Sequence, residues 1–412
     1  MRLKAWAWCG YDFANSAFPT VVSTFVIATY FTSAVAPDPV TGQAMWGWMQ
    51  ALAGLSIGLL SPVLGAVADA GGRRRALLAI FTLLTAVATA GIWFVHPRAA
   101  DALPALVLIG LATVAFELGT VFYNAMLPSV APVEKLGRVS GLGWGMGYVG
   151  GLLCLAVCLL VLLRPGPPPF GLDRAAAEHV RATALLVAGW IVLFGWPVLL
   201  AVPDPAVRPP VAQAVRQGLA AIRATLRKLP HEPVLARFLA ARLFYTDGLN
   251  TLFAFGAIYA AGRFGMQVEE ILLFGILLNV TAGLGAFAGG WLEDALGSRR
   301  TVLGSLLAII LIGLGLLLVE SKTLFWVLGA GLGVFFGPAQ AASRTLMARL
   351  APPEEAGAWF GLFALSGRVT GFMGPALLAM ATTAFASQVA GMAVVLGLLG
   401  LGALLLLRVR AA

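Results

Sequence analysis

Runs of about 20 apolar residues recur along the whole chain, separated by short polar breaks. Twelve can be drawn, at 12–35, 46–70, 76–95, 103–128, 140–163, 183–202, 235–261, 269–294, 301–319, 322–348, 357–384 and 387–407. Each is long enough to cross about 30 Å of hydrocarbon as a helix. In a run such as Leu303 to Val319 apolar side chains occupy every face. A membrane β-barrel strand would alternate apolar and polar residues instead, so the pattern predicts an all-α membrane protein. Composition agrees: 60% of the 412 residues are hydrophobic and 11% charged, less than half the charge that a water-facing domain carries. The mean hydropathy is +0.92.

The net charge of +9 raises the question of nucleic acid, and the positions of the cations answer it. Of the 27 Lys and Arg, with the span-end residues Arg237 and Lys322 counted in the adjoining loops, 18 fall on one face, 6 on the other and 3 within spans. This asymmetry follows the positive-inside rule and places both termini in the cytoplasm, with the chain in the cell (inner) membrane and no role for nucleic acid. Arg2 and Lys4 precede an apolar run that resembles a signal peptide. That run contains Asp12 and meets Pro37 where cleavage would fall, so it is expected to stay as the first span.

Between the sixth and seventh spans lies the one long cytoplasmic connection, 203–234. It opens with Pro203, Pro205, Pro209 and Pro210. It then predicts an amphipathic helix, with Val211, Val215, Leu219, Ile222, Leu226 and Leu229 at steps of three or four. Arg216, Arg223, Arg227 and Lys228 lie off that stripe. Such a helix could rest on the anionic inner leaflet or dock on the protein itself. Residues Arg164 to Gly171 predict a stiff extracellular turn.

The two sides of this linker repeat one another. Gly65, Asp69, Gly72, Arg74 and Arg75 match Gly290, Asp294, Gly297, Arg299 and Arg300 at an offset of 225. Asp12 and Asn15 match Asp247 and Asn250 at 235, and Gly137, Gly141, Gly147 and Gly151 match Gly357, Gly361, Gly367 and Gly371 at 220. Three echoes at similar offsets predict two pseudo-symmetric six-helix bundles, 1–202 and 235–412, joined by the linker 203–234.

The loop Gly65-Ala-Val-Ala-Asp69-Ala-Gly-Gly72-Arg-Arg-Arg75 resembles the signature between the second and third helices of the major facilitator superfamily, and its return after the eighth span is a feature of that superfamily too. More narrowly, Tyr11-Asp-Phe-Ala-Asn-Ser-Ala-Phe18, Tyr245-Thr-Asp-Gly-Leu-Asn250 and Gly337-Pro-Ala-Gln-Ala-Ala-Ser-Arg344 resemble the branch related to the autophagy-linked vacuolar effluxer. The resemblance implies the major facilitator fold of twelve transmembrane helices. It also implies a secondary transporter working by alternating access, and efflux of amino acids or related polar metabolites. Spans one, four, seven and ten would line the central pathway. Spans two, five, eight and eleven, which are glycine-rich here, would form the contact between halves.

Polar groups inside a span are costly in lipid and so tend to face a cavity or a partner. The candidates for the substrate or coupling pathway are Asp12, Asn15, Ser16, Glu117, Asn124, Asp247, Asn250, Gln340 and Arg344. Glu117 and Asn124 share a helix face, as do Gln340 and Arg344. Glu117 is a candidate for proton coupling or for pairing with an intramembrane arginine. Arg344 could fork onto a substrate carboxylate or pair with Glu117 or Asp247. Asp12 and Asp247 lie toward the cytoplasmic ends of their spans. For a cytoplasmic gate the candidates are Asp69 with Arg73, Arg74 and Arg75, and pseudo-symmetrically Asp294 with Arg299 and Arg300.

No Gly-x4-Gly-Lys-[Ser/Thr] loop is present, so ATP-driven pumping by this chain is not expected. His96, His179 and His231, and Cys9, Cys154 and Cys158, lack metal-ligand spacing. No cofactor, metal or enzymatic activity is expected. The expected partners are a small-molecule substrate, protons as a candidate coupling ion, and the lipid bilayer, with the chain a monomer. Two alternatives stand beside polar-metabolite efflux. One is an exporter of amphipathic drug- or lipid-like compounds, with Phe253, Phe255, Phe335 and Phe336 in its cavity. The other is a receptor or scaffold that uses the fold without transporting.

Overall fold

The computed structural model describes residues 3–167, 169–204, 209–266 and 268–409. Arg2, Pro168 and Pro205, each part of a sequence feature above, lie outside the described residues, as do Arg208 and Arg410 of the cation tally. Among the described residues, ten helices are long and apolar enough to cross a membrane. They are Leu3–Val35, Thr41–Gly71, Arg74–Phe94, Ala99–Ala125, Val133–Leu163, Glu178–Ala201, Leu273–Leu296, Ser298–Leu318, Lys322–Leu350 and Gln388–Leu407. Two more spans complete the twelve. The seventh is the 32-residue helix Pro233–Phe264, and the eleventh is divided into Ala356–Ser366 and Met373–Phe385.

That division departs from the unbroken eleventh run drawn from hydropathy. The break holds Gly367 and Gly371, which loosen the backbone. Just beyond it Pro375 lacks the amide that would bond back to the carbonyl of residue 371. The first span is also irregular, with π-helical windings at Phe18–Phe25 and Phe31–Val35. Pro19 sits at the start of the first of these windings, where the regular hydrogen-bond ladder is interrupted.

Spans one to six and seven to twelve form two bundles. In the first, span one packs on spans five and six, and span four on spans two and three; in the second, span seven packs on twelve and span ten on eight and nine. The halves meet along two seams, span five against span eight and span two against span eleven. A buried apolar cluster runs across both halves and takes in Trp8, Tyr123, Tyr245 and Trp359. A second cluster, around Phe18, Phe31, Ile109 and Cys158, belongs to the first half alone. Within the first half, the shared cluster sits toward the end that carries the linker, called the linker face below.

The linker helix, Val211–Lys228, docks on span two. The sequence leaves its apolar stripe to the leaflet or to the protein. The structure docks the helix through Ala214, Gly218, Ile222 and Thr225, of which Ile222 alone belongs to that stripe, and leaves Val215, Leu219 and Leu226 exposed. Small residues win the docking face because they admit the neighbouring helix closely: a Cβ on Gly218 would stand 2.6 Å from the Val67 Cα.

Candidate functional site

The repeated sequence signature builds two matching contacts between the halves. Span two ends at Gly72 with φ +57° and span eight at Gly297 with φ +87°, a region that side chains rarely adopt. Each turn leaves the preceding aspartate free to reach across. Asp69 accepts from the backbone amides of Gly357, at 3.0 Å, and Ala358, at 2.9 Å, which open the eleventh span. Asp294 accepts from the amides of Gly137, at 2.9 Å, and Arg138, at 3.3 Å, which open the fifth. Each carboxylate satisfies orphan amides at a helix start, where the helix dipole also favours negative charge.

The glycines of the first and third echoes make this approach possible. A Cβ on Gly65 would overlap the Gly357 carbonyl, and one on Gly137 would lie 2.6 Å from Asp294 Oδ1. The echoes of the second and eighth spans and of the fifth and eleventh are thus two sides of one joint, made twice. Replacing Asp69 with Ala removes two charge-assisted hydrogen bonds across it, a loss of about 2–4 kcal/mol. Substrate counterflow is expected to fall more than about tenfold at that cost, with the amount of protein in the membrane unchanged. Unaltered kinetics would remove Asp69 from any gating role.

The arginines divide differently from the sequence expectation. Arg74 pairs with Asp69 at 2.7 Å and donates to the Pro353 carbonyl of the second half. Arg73 reaches the Pro209 carbonyl of the linker instead. Arg75 contributes its backbone amide to Asp204. On the other side, Arg299 donates to the carbonyls of Leu406 and Leu407 rather than to Asp294. Asp294 is held by Arg138 at 2.9 Å, with Arg349 at 3.8 Å. Arg299 therefore does not repeat the contacts of Arg74, because Arg138 already sits at the helix start that Asp294 meets.

Deeper along the seam, Arg344 of span ten crosses into the first half. Its Nη1 donates to Asp12 Oδ2 at 2.9 Å and lies 3.5 Å from Asn124 Oδ1. Its Nε and Nη2 donate to the Ser140 hydroxyl and carbonyl, at 3.0 and 2.7 Å. The guanidinium lies over the rings of Trp8 and Tyr123, which stack on one another 4.3 Å apart and exchange hydrogen bonds with each other's carbonyls. Arg344 is thus paired with Asp12, not with Glu117 or Asp247.

Glu117 of span four pairs with Arg368, which stands in the break of span eleven. This ion pair also crosses between halves, and it is partly open: the Arg368 side chain is 40% exposed and that of Glu117 22%. Asp247 is buried, and Oδ2 accepts from the Gly374 amide at 2.7 Å, capping the second piece of span eleven. Asn250 is exposed, Gln340 half-buried and Asn15 buried. Ser16 packs toward span five, where a Cβ on Gly147 would meet its hydroxyl at 2.6 Å. The structure brings together Asp12, Asn124 and Arg344, and separately Glu117 with Arg368. Three participants, Trp8, Ser140 and Arg138, carry no sequence signal of their own, whereas Tyr123 and Arg368 are polar groups inside spans four and eleven.

The chain matches the family described as "Vacuole effluxer Atg22 like" over residues 34–136 and 131–412. It belongs to that family. Among its relatives, an uncharacterized transporter of the major facilitator type from Bacillus subtilis (strain 168), YxiO, is 25% identical over 91% of this chain and 87% of its own. Autophagy-related protein 22-1 of Neosartorya fischeri is 24% identical over 60% of this chain, and the match spans 43% of the fungal protein, less than half its length. Solved structures share the fold. The proton:xylose symporter XylE superposes with a TM-score of 0.74 at 12% identity, covering 99% of this chain and 95% of XylE. A bacterial homologue of the iron transporter ferroportin, in an outward-facing state, gives 0.72 at 13%, covering 99% of each chain. The chain is therefore a multi-pass membrane transporter of the major facilitator superfamily, with twelve helices in two pseudo-symmetric bundles.

Proposed function

We propose that the chain exports a small zwitterionic solute, with amino acids the leading class, across the cell membrane by alternating access. The observation that carries this reading is the Glu117–Arg368 pair. It offers one anionic and one cationic group, one from each half, and both are partly open. A zwitterion can replace the pair with two of its own, its ammonium on Glu117 and its carboxylate in the fork of Arg368. Because the two groups belong to different bundles, an occupant ties the halves together, and release lets them part. Protonation of Glu117 would free Arg368, which makes protons the coupling ion of this scheme.

In this reading the chain divides into bundles 1–202 and 235–412 joined by the linker 203–234, and acts as a monomer. The linker face is cytoplasmic, as the cation asymmetry favours. The Asp69 and Asp294 contacts then close the cytoplasmic side, and the described conformation opens outward.

A specific observation favours a second element of specificity. Phe336 lies on the helix face of Gln340 and Arg344, at four-residue steps, and its ring is 5.6 Å from that of the exposed Phe253. An apolar substituent would settle there, which favours amino acids with apolar side chains and keeps amphipathic compounds as the second reading.

Substrate-stimulated counterflow in proteoliposomes tests both. Leucine-class amino acids are expected to exchange while sugars and inorganic ions do not. Exchange of amphipathic cations alone would favour the second reading, and counterflow with no solute would leave a receptor or scaffold.

A further inference from the structure

The linker helix has three faces, and the fold uses one. At about 100° per residue, the docked line of Ala214, Gly218, Ile222 and Thr225 is followed around the helix by Val215, Leu219 and Leu226. Beyond these come Arg216, Arg223 and Arg227. All six residues of the last two groups are exposed. The order is protein, then apolar, then cationic, and it suits a helix seated where a membrane span meets the headgroup layer.

Its location gives this seating a consequence. The linker helix lies across the seam between the halves. Ala214 packs against Gly71, and Gly218 against Val67, both at the end of span two. Ile222 is buried with Ala66 of span two and Ala358 of span eleven, and Ala358 supplies one of the two amides that Asp69 holds. At its far end Lys228 pairs with Glu355 at 3.4 Å, and ahead of its start Arg73 holds the Pro209 carbonyl. The helix therefore touches both halves at the Asp69 joint.

We infer that the exposed face of this helix binds anionic lipid headgroups through Arg216, Arg223 and Arg227, and that this binding latches the linker-face joint shut. The apolar row enters the edge of the hydrocarbon while the arginines meet phosphates, so an anionic leaflet presses the helix onto the seam. When the joint opens, Ala66 and Ala358 part and Ile222 loses its seat. Anionic lipid thereby favours the conformation closed at the linker face. The inference needs the membrane setting of the transporter reading but not its substrate, so the two can fail separately.

Hydrogen–deuterium exchange of the full-length protein tests it, in vesicles of phosphatidylcholine alone and in vesicles with added phosphatidylglycerol. Phosphatidylglycerol is expected to slow exchange in peptides covering 211–228, and in those covering 353–362, by about tenfold or more. In the triple variant Arg216→Gln/Arg223→Gln/Arg227→Gln the lipid effect is lost from both regions, whereas the triple Arg→Lys variant keeps it. Equal exchange in the two lipid compositions would overturn the proposal. So would a lipid effect that survives in the Gln variant, or one confined to the linker helix with no response at 353–362.

Discussion

Glu117→Gln is expected to reduce counterflow about 30-fold or more, while the double variant Glu117→Gln/Arg368→Gln stays equally inactive. The single change leaves the Arg368 guanidinium without its counter-ion inside a span. For a fully buried pair that costs about 3–5 kcal/mol. Arg368 is 40% exposed, so solvent reduces the loss to roughly 2 kcal/mol, which corresponds to about 30-fold. The double change removes the orphaned charge and separates two explanations. If the pair only braces the halves, neutral glutamines of similar size restore much of the activity. If both groups meet the substrate, nothing replaces them and transport remains lost. Recovery of exchange to near wild-type rates in the double variant would therefore sink the zwitterion site. The same preparations report on coupling: Glu117→Gln with full pH-gradient-driven transport would exclude Glu117 as the proton carrier.

The fold was legible because lipid imposes a simple rule. A span has to be apolar over about 20 residues, so the twelve runs stand out whatever packs against them. The seams were legible for a different reason. Gly65, Gly137, Gly290 and Gly357 are needed where two backbones nearly touch, and duplication writes that need twice at a constant offset. Asp69 and Asp294 share in this, since each is tied to a glycine-led helix start in the other half.

What the sequence withheld were partnerships that duplication does not preserve. Asp12 and Asp247 match at an offset of 235, yet one meets Arg344 across the seam while the other caps a broken helix in its own half. At the offset of 220 the counterpart of Arg344 is Asn124, so the first half has no arginine to make the reciprocal pair. Arg299 repeats Arg74 in sequence only. The break in span eleven escaped a hydropathy reading because Gly367, Gly371 and Pro375 leave the mean apolarity of the run intact. That break is what sets Arg368 opposite Glu117. The linker helix shows the same limit: periodicity located its apolar arc, but close packing against Val67 selected the smaller residues at the edge of that arc.

The second large effect is expected at Arg344, where Arg344→Met should open the linker face. Arg344 is 3% exposed, and its guanidinium makes its strongest bonds to groups of the other half: Asp12, the Ser140 hydroxyl and the Ser140 carbonyl. Methionine fills similar space over Trp8 but leaves the Asp12 carboxylate unpaired, and breaking such a buried pair costs about 3–5 kcal/mol. The cost applies only while the halves are together, because a water-filled linker-side opening would hydrate Asp12. The equilibrium between the two conformations should therefore shift by about 100-fold or more toward the open linker face. A native reporter lies beside the joint. Cys9 is free and buried, with Sγ 3.5 Å from the Val139 carbonyl. Its alkylation by a water-soluble maleimide is expected to accelerate at least about tenfold in Arg344→Met, and less in Arg344→Lys, which keeps the charge but loses the fork. Cys154 and Cys158, buried in the other cluster of the first half, should stay unreactive, which distinguishes opening from unfolding. If Cys9 reacts at the wild-type rate in Arg344→Met, the pair with Asp12 does not hold the halves together, and the closed linker face rests on its other contacts, the Asp69 and Asp294 joints foremost.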